Sequence, residues 1–359
     1  MKKKSSKNNN ISIIIPTTGN LEILDNIRYN IKNFIKNNFS VIIVANKKIP
    51  LQESKKLKII FSEKFKNHME KLYHGINVSR SKYVAFVRED ELVNISGFIK
   101  IYNTLVKNPS LSSCQGIKFI SNPYYKYIFS PHAPNNFNFY NKNFINFNIK
   151  KRIELLFKYH PECYWTVHRK SLVKKFFFLF LKRNKFRPMN MYDYYFIIYL
   201  LCFGDILFVP YPWSSKIKVS KHIYANTEDT FKNRENHKFF KHNMLYLASL
   251  FKKKRKLEDK NIYNYFLTSM KIRLNNLKPN AIYKNYSILS KLLFKFKVRL
   301  IKFLMFLPNL YSPVKFYFPI SRYDIYFNSK LNSTNYNKVI SNNKFMKDFL
   351  NIYSFLKNK

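Results

Sequence analysis

Residues Ile11 to Ile15 form a short, nearly unbroken apolar run closed by Pro16. Such a run is the mark of a strand buried on both faces. Thr17, Thr18, Gly19 and Asn20 then turn the chain. From Leu21 to Phe34 the period changes, with Leu21, Leu24, Ile27, Ile31 and Phe34 on one helical face. The two periods go on alternating. Ser40 to Ala45 and Leu57 to Phe61 read as strands and Lys64 to Val78 as a helix. Tyr83 to Val87 is a fourth strand and Ser96 to Lys107 a further helix. This alternation predicts a mostly parallel sheet with helices on both faces.

Between Asn122 and Asn148 the pattern dissolves into Asn, Tyr, Phe and Pro, which predicts a long loop or insertion over a cleft. Beyond it, Lys150 to Tyr159 reads as a helix, Cys163 to His168 as strand-like and Ser171 to Phe180 as a helix. Met191 to Phe203 is an apolar helix stopped by Gly204. Ile206 to Val209 is a short strand stopped by Pro210 and Pro212. From about Lys216 the chain becomes basic, aromatic and mainly helical. The organisation expected is a disordered basic tail over 1–10, an α/β domain over 11–217 and a basic helical region over 218–359.

Charge adds a partner class. The chain carries 65 Lys and Arg against 19 Asp and Glu, a formal charge of +46. Lys, Asn, Ile, Phe and Tyr are enriched together while Gly is scarce, as an AT-rich coding sequence would produce. Much of the charge is therefore compositional, yet it still draws phosphates, nucleotides and anionic membrane surfaces. Cys114, Cys163 and Cys202 are odd in number and widely spaced. That pattern points to a reducing compartment and away from a disulfide framework or zinc site. The amino terminus has no apolar core of signal-peptide length, and no stretch reaches the roughly 20 clean apolar residues of a spanning helix. The segment Ser287 to Phe306 interleaves Lys291, Lys295, Lys297, Arg299 and Lys302 with Leu, Phe and Ile. It suits either a helix lying in a membrane interface or a core-packing helix with a basic outer face.

The densest chemical signal follows the fourth strand, where Val87 and Arg88 lead into Glu89, Asp90 and Glu91. In so acid-poor a chain, three adjacent carboxylates at a strand end suit a divalent cation that offsets a nucleotide diphosphate. Asp90 is the best single ligand. The competing reading is a loop that caps the following helix, whose amino end favours acids.

Several segments in order resemble a family-two-type glycosyltransferase with the GT-A fold, in a bacterial subgroup whose acidic motif is a run of three carboxylates. They are Ile13-Ile-Ile-Pro-Thr-Thr18, the strand Val41 to Val44, Lys71-Leu72 in the preceding helix, and Tyr83-Val-Ala-Phe-Val before the acids. Leu105 to Gly116, Trp165-Thr-Val-His-Arg169, and Asp193 on an apolar helix before Gly204 extend the resemblance over about residues 11 to 217. It implies a Rossmann-like nucleotide-diphospho-sugar transferase domain. Pro16, Thr17, Thr18, Asn46, Lys71, Glu89 and Arg169 would meet the nucleotide sugar. Asp90 and Glu91 would hold Mn2+ or Mg2+, and Asp193 would be the general base. The implied reaction is inverting transfer of a hexose to a saccharide or lipid-linked acceptor in surface polysaccharide synthesis. The implied location is the cytoplasm, with peripheral contact on the inner face of the plasma membrane.

Two positions depart from the family pattern. Ala45 and Asn46 stand where an Asp usually ends the second strand, and Arg88 stands where many relatives place the first acid of an Asp-x-Asp. These departures leave a catalytically degenerate scaffold as one alternative. A basic, aromatic nucleic-acid-binding protein is the other. Against the latter, the basic residues are spread along the whole chain, and a nucleic-acid groove has no use for three adjacent carboxylates unless they hold a nuclease metal.

Overall fold

The computed structural model describes residues 10–122, 128–131, 148–159, 163–182, 192–217, 234–256, 261–277, 347–348, 351–352 and 354–355. Among them, nine strands form one sheet in the order β3-β2-β1-β4-β8-β6-β9-β5, with β7 paired to β6. β1 (Ile11–Thr17) lies parallel to β2 (Ser40–Ala45) and β4 (Tyr83–Phe86), and β2 lies parallel to β3 (Leu57–Phe61). β6 (Leu111–Asn122) and β9 (Asp205–Ile217) also pair in parallel. Through β8 (Val167–Arg169), which is antiparallel to both β4 and β6, this second pair takes the direction of the first set. β5 (Glu91–Val93) and β7 (Ile128–Pro131) run against it. The result is a mixed α/β fold with a mostly parallel sheet flanked by helices, as the alternating pattern predicts.

The side-chain period of two distributes the buried strands between two cores. Ile14, Ile42, Val44, Val84 and Phe86 pack with α2 (His68–Val78), α5 (Lys170–Phe177) and α6 (Tyr192–Phe203). Ile13, Ile15, Val41, Ile43, Ala85 and Val87 pack with α1 (Leu24–Lys36) and α3 (Ile95–Lys107) on the other face. α6 is apolar all round because every residue from Tyr194 to Cys202 is buried. α7 (Arg234–Arg255) packs against it and α8 (Ile262–Leu277) packs on α7, and their Phe240, Met244, Leu247, Phe251, Ile262 and Phe266 join the same core. The core therefore continues past the expected boundary at residue 217. α4 (Ile149–Tyr159) belongs to this layer too, and Asp205 Oδ1 ties it to α7 by accepting from Arg152 at 2.7 Å and Arg255 at 2.8 Å.

Several elements differ from the sequence pattern. α2 begins at His68, not Lys64, because the Asn67 side chain accepts from the backbone N–H of Met69 and Glu70 and so caps it there. Cys163 to His168 yields only the short β8. The acids do not all lie in a loop, since Glu91 opens β5. β6 and β9 are the larger surprise. β9 passes straight through Pro210 and Pro212. Its register with β6 shifts between Gln115 and Ile117 and again before Lys118, with Ile117 opposite Pro212. Those irregularities take up residues that have no N–H for the ladder. Much of the expected insertion at 122–148, the segment Ser287 to Phe306 and the tail 1–9 lie outside the described residues. Among the described residues, no helix is long and apolar enough to cross a membrane.

The far carboxyl end returns to this core. Asp348 Oδ2 accepts from the Ser96 N–H at 2.7 Å in the first turn of α3, and Phe355 meets Tyr29 at 4.7 Å between ring centroids. Asp348 thus supplies a cap from a distant part of the chain. Replacing it by Ala is expected to cost about 1 kcal/mol. A urea midpoint equal to that of the parent would show that the contact anchors nothing.

Candidate active site

Parallel strands end together, and helices that follow them begin at the same edge. The carboxyl ends of β1, β2 and β4 and the amino end of α2 therefore share one rim of the sheet. Pro16 and Thr17 close β1 there, with Pro16 opposite Val44. The Thr17 carbonyl accepts from Lys71 Nζ at 2.7 Å, which brings a buried ammonium beneath the turn. Burial lowers the Lys71 pKa, and the neighbouring Glu89 carboxylate opposes that shift. Glu89 Oε2 accepts from the Thr17 hydroxyl at 2.6 Å and from the Thr18 N–H at 3.0 Å. Gly19 follows at φ +80°, a conformation that side chains disfavour, and its N–H donates to the Thr17 hydroxyl. Asn46, just after β2, donates to the Phe65 carbonyl at 2.7 Å and pins the next loop against this rim.

The remaining acids take other directions. Asp90 is buried and its Oδ1 accepts from Arg88 Nε at 3.0 Å. The Arg88 guanidinium lies 5.5 Å from the centroid of the Trp165 ring, within cation–π range. Glu91 is fully buried inside the sheet, with Lys118 Nζ at 3.2 Å on one oxygen and the Ser214 hydroxyl at 3.2 Å on the other.

α6 runs toward the opposite rim, because Gly204 leads it into Asp205 at the start of β9. Its first turn, with Tyr192 and Asp193, thus lies at the carboxyl edge. Asp193 acts electrostatically on the buried Tyr164 hydroxyl, which donates to Met69 Sδ at 2.8 Å. Tyr192 OH is 3.3 Å from His68 Nε2, and the His68 ring sits 6.0 Å from Trp165. One aromatic cluster therefore links Asp193 to Arg88.

Arg169 is not part of this assembly. It pairs with Tyr83 at the amino end of β4, and its guanidinium donates to the carbonyls of Leu111, Leu105 and Asn108. It closes the carboxyl end of α3 at the opposite rim, so the expected phosphate or acceptor contact is replaced by a structural one. His168 is fully buried between Phe86 and Phe196 and packs in the core. Reading the sequence alone missed His68 and Tyr192. Nothing near them in sequence marks them, since they meet only when α2 and α6 are brought together.

Burial lowers the His168 pKa to about 4. Burial, then Lys71 and Arg88, does the same to His68, also to about 4. Both are neutral in the native state at pH 7. An unfolded histidine titrates near 6.5, so the unfolded chain binds more protons as pH falls below that value. The stability owed to these two rings is full above about pH 6.5 and lost toward about pH 4. Ring-carbon NMR is expected to show two histidines still neutral at pH 5.5; their titration near 6.5 would contradict the burial.

A divalent cation asks for oxygen ligands that converge. The acids here diverge: Glu89 toward Thr17 and Thr18, Asp90 toward Arg88, Glu91 toward Lys118 and Ser214. Among the described residues, no group of three or more His, Cys, Asp or Glu is arranged to hold a metal. A divalent ion about 5 Å from the Arg88 guanidinium would be repelled by about 7 kcal/mol at an effective dielectric of about 20. Among the described residues the expected metal pair of Asp90 and Glu91 is not assembled, and these residues do not fit the ion.

No protein-family model matches the chain, and no curated protein does. Among solved structures, the chain is similar to S. aureus TarS 1–349, at 12% identity over 77% of this chain and 75% of that one, with a TM-score of 0.46. It is similar to the same TarS in complex with UDP-GlcNAc, at 13% identity over 78% and 77% respectively, TM-score 0.46. It is also similar to the mannosyltransferase PcManGT from Pyrobaculum calidifontis in complex with GDP-Man and Mn2+, at 11% identity over 95% and 87%, TM-score 0.38.

Proposed function

We propose that the chain is a glycosyltransferase that moves a sugar from a nucleotide-sugar donor to a hydroxyl of a saccharide or lipid-linked acceptor. One observation carries the reading: the Thr17–Thr18 turn, Lys71, Arg88 on Trp165, and the head of α6 with Asp193 share the carboxyl rim of the parallel strands. That rim is where open α/β sheets bind nucleotides. Pro16, Thr17 and Thr18 edge the nucleotide, with Asn46 and Glu89 holding the surrounding loops in place. The cationic groups Lys71 and Arg88 face the diphosphate.

In the reaction, the acceptor oxygen attacks the anomeric carbon and forms the new glycosidic bond. The bond from that carbon to the phosphate oxygen breaks, and its electron pair leaves on the diphosphate. The acceptor proton passes to the Asp193 carboxylate. Attack opposite the leaving group inverts the anomeric carbon. The setting proposed is hexosyl transfer in bacterial surface polysaccharide synthesis, on the cytoplasmic side of the membrane. The transferase unit spans 11–217 together with the helices that complete its core, with the basic carboxyl region in peripheral contact with anionic lipid.

The test is thermal stabilisation by a panel of nucleoside diphosphates and their sugars. One nucleotide is expected to raise the melting temperature in a concentration-dependent way. A panel that raises it nowhere would overturn the reading.

A further inference from the structure

We infer that this transferase works without a divalent cation, the Arg88 guanidinium taking the leaving diphosphate in the cation's place. The inference rests on the transferase reading above. Each of the three clustered acids already faces a base of its own. Glu89 lies in the field of buried Lys71. Asp90 Oδ1 lies 3.0 Å from Arg88 Nε, and Glu91 Oε1 lies 3.2 Å from Lys118 Nζ. Among the described residues these three acids are matched by three bases, whereas a site for a hard cation keeps carboxylates in excess of neighbouring positive charge.

The placement of Arg88 gives this balance a use. Asp90 fixes the Nε edge of the guanidinium, and the Trp165 ring fixes its face. A planar fork held on an edge and a face has its direction set, and such a fork matches two phosphate oxygens at once. Its side chain is 21% exposed, enough to meet a ligand at the rim. As the sugar–phosphate bond breaks, the electron pair settles on a diphosphate oxygen beside the guanidinium. No proton and no metal are required. Asp90 is in this account a positioning residue, acting through Arg88.

The experiment is calorimetric titration of UDP and GDP into the full chain, in excess EDTA and then in Mn2+. Wild type is expected to bind one of them with the same affinity in both. Arg88→Ala should weaken that binding by roughly tenfold to a hundredfold, the range for a charged hydrogen-bonded contact. Arg88→Lys should fall between, since an ammonium cannot fork. Arg88→Asp should bind poorly in EDTA and gain affinity in Mn2+, because it places a second carboxylate beside Asp90. Wild-type binding that vanishes in EDTA and returns with Mn2+ would overturn the inference while leaving the transferase reading intact. So would an Arg88→Ala chain that binds like wild type. Failure of wild type to bind either nucleotide in both buffers, with no nucleotide of the thermal panel stabilising it, would overturn the transferase reading and the inference with it. The wild-type comparison needs no variant to fold.

Discussion

Asp193→Asn is expected to lower turnover by between about a hundredfold and ten-thousandfold, the span usual for loss of a positioned general base, and to leave donor affinity unchanged. The two parts follow from where Asp193 sits. It opens α6 at the sheet's carboxyl rim, across the aromatic cluster of Tyr164, Tyr192 and His68 from the Arg88 side. A base placed on the acceptor side removes a proton from the incoming hydroxyl and does not hold the diphosphate. Asparagine keeps the size and can still cap a helix, so the fold should survive. Single-turnover and steady-state rates with the donor found by thermal shift would separate the effects. If turnover is unchanged and only about 0.5 kcal/mol of stability is lost, Asp193 is an ordinary helix-start acid.

Gly97→Ala is expected to be the most damaging of the five Gly→Ala changes. A Cβ at this position would lie 1.5 Å from the Pro212 carbonyl oxygen and 2.6 Å from its carbon. Both atoms are backbone, so no side-chain rotation relieves the clash. α3 is held against β9 at this point by the Asn94 N–H, which donates to the Trp213 carbonyl at 2.9 Å. The Asn94 side chain accepts from Gly97 N–H itself at 2.9 Å. Overpacking a tight site usually costs 1–3 kcal/mol, and here about 3 kcal/mol or more is expected. The displacement would travel through β9 to β5, where Glu91 pairs with Lys216 in the ladder. Urea unfolding measures the loss; an unchanged midpoint would mean that α3 and β9 do not approach so closely.

The first half of the fold was legible because its signals are local. Ser40 to Ala45 and Leu57 to Phe61 match their strands residue for residue, since continuous apolar runs between turn residues admit little else. β9 was not legible, because Pro210 and Pro212 argue against a central strand unless the partner is irregular, and that irregularity lives in β6. The site divides in the same way. The Thr17–Thr18 turn, Lys71 and the acidic run come from segments whose order along the chain carries meaning. The partners that give each acid its role do not. Lys118 reaches Glu91 across the sheet, Arg88 reaches Trp165 from another element, and Arg169 turns to the far rim because β8 runs antiparallel to β4. Side-chain direction across paired strands is a property of register, which no single segment encodes.

The most direct test is amide hydrogen exchange of the full chain with and without the saturating nucleoside diphosphate. Slowed exchange is expected over residues 16–20, the first turn of α2 and residues 86–91, with the opposite rim around Arg169 unchanged. Protection confined to the basic helices α7 and α8, or spread evenly over the chain, would contradict a nucleotide site at the carboxyl ends of these strands.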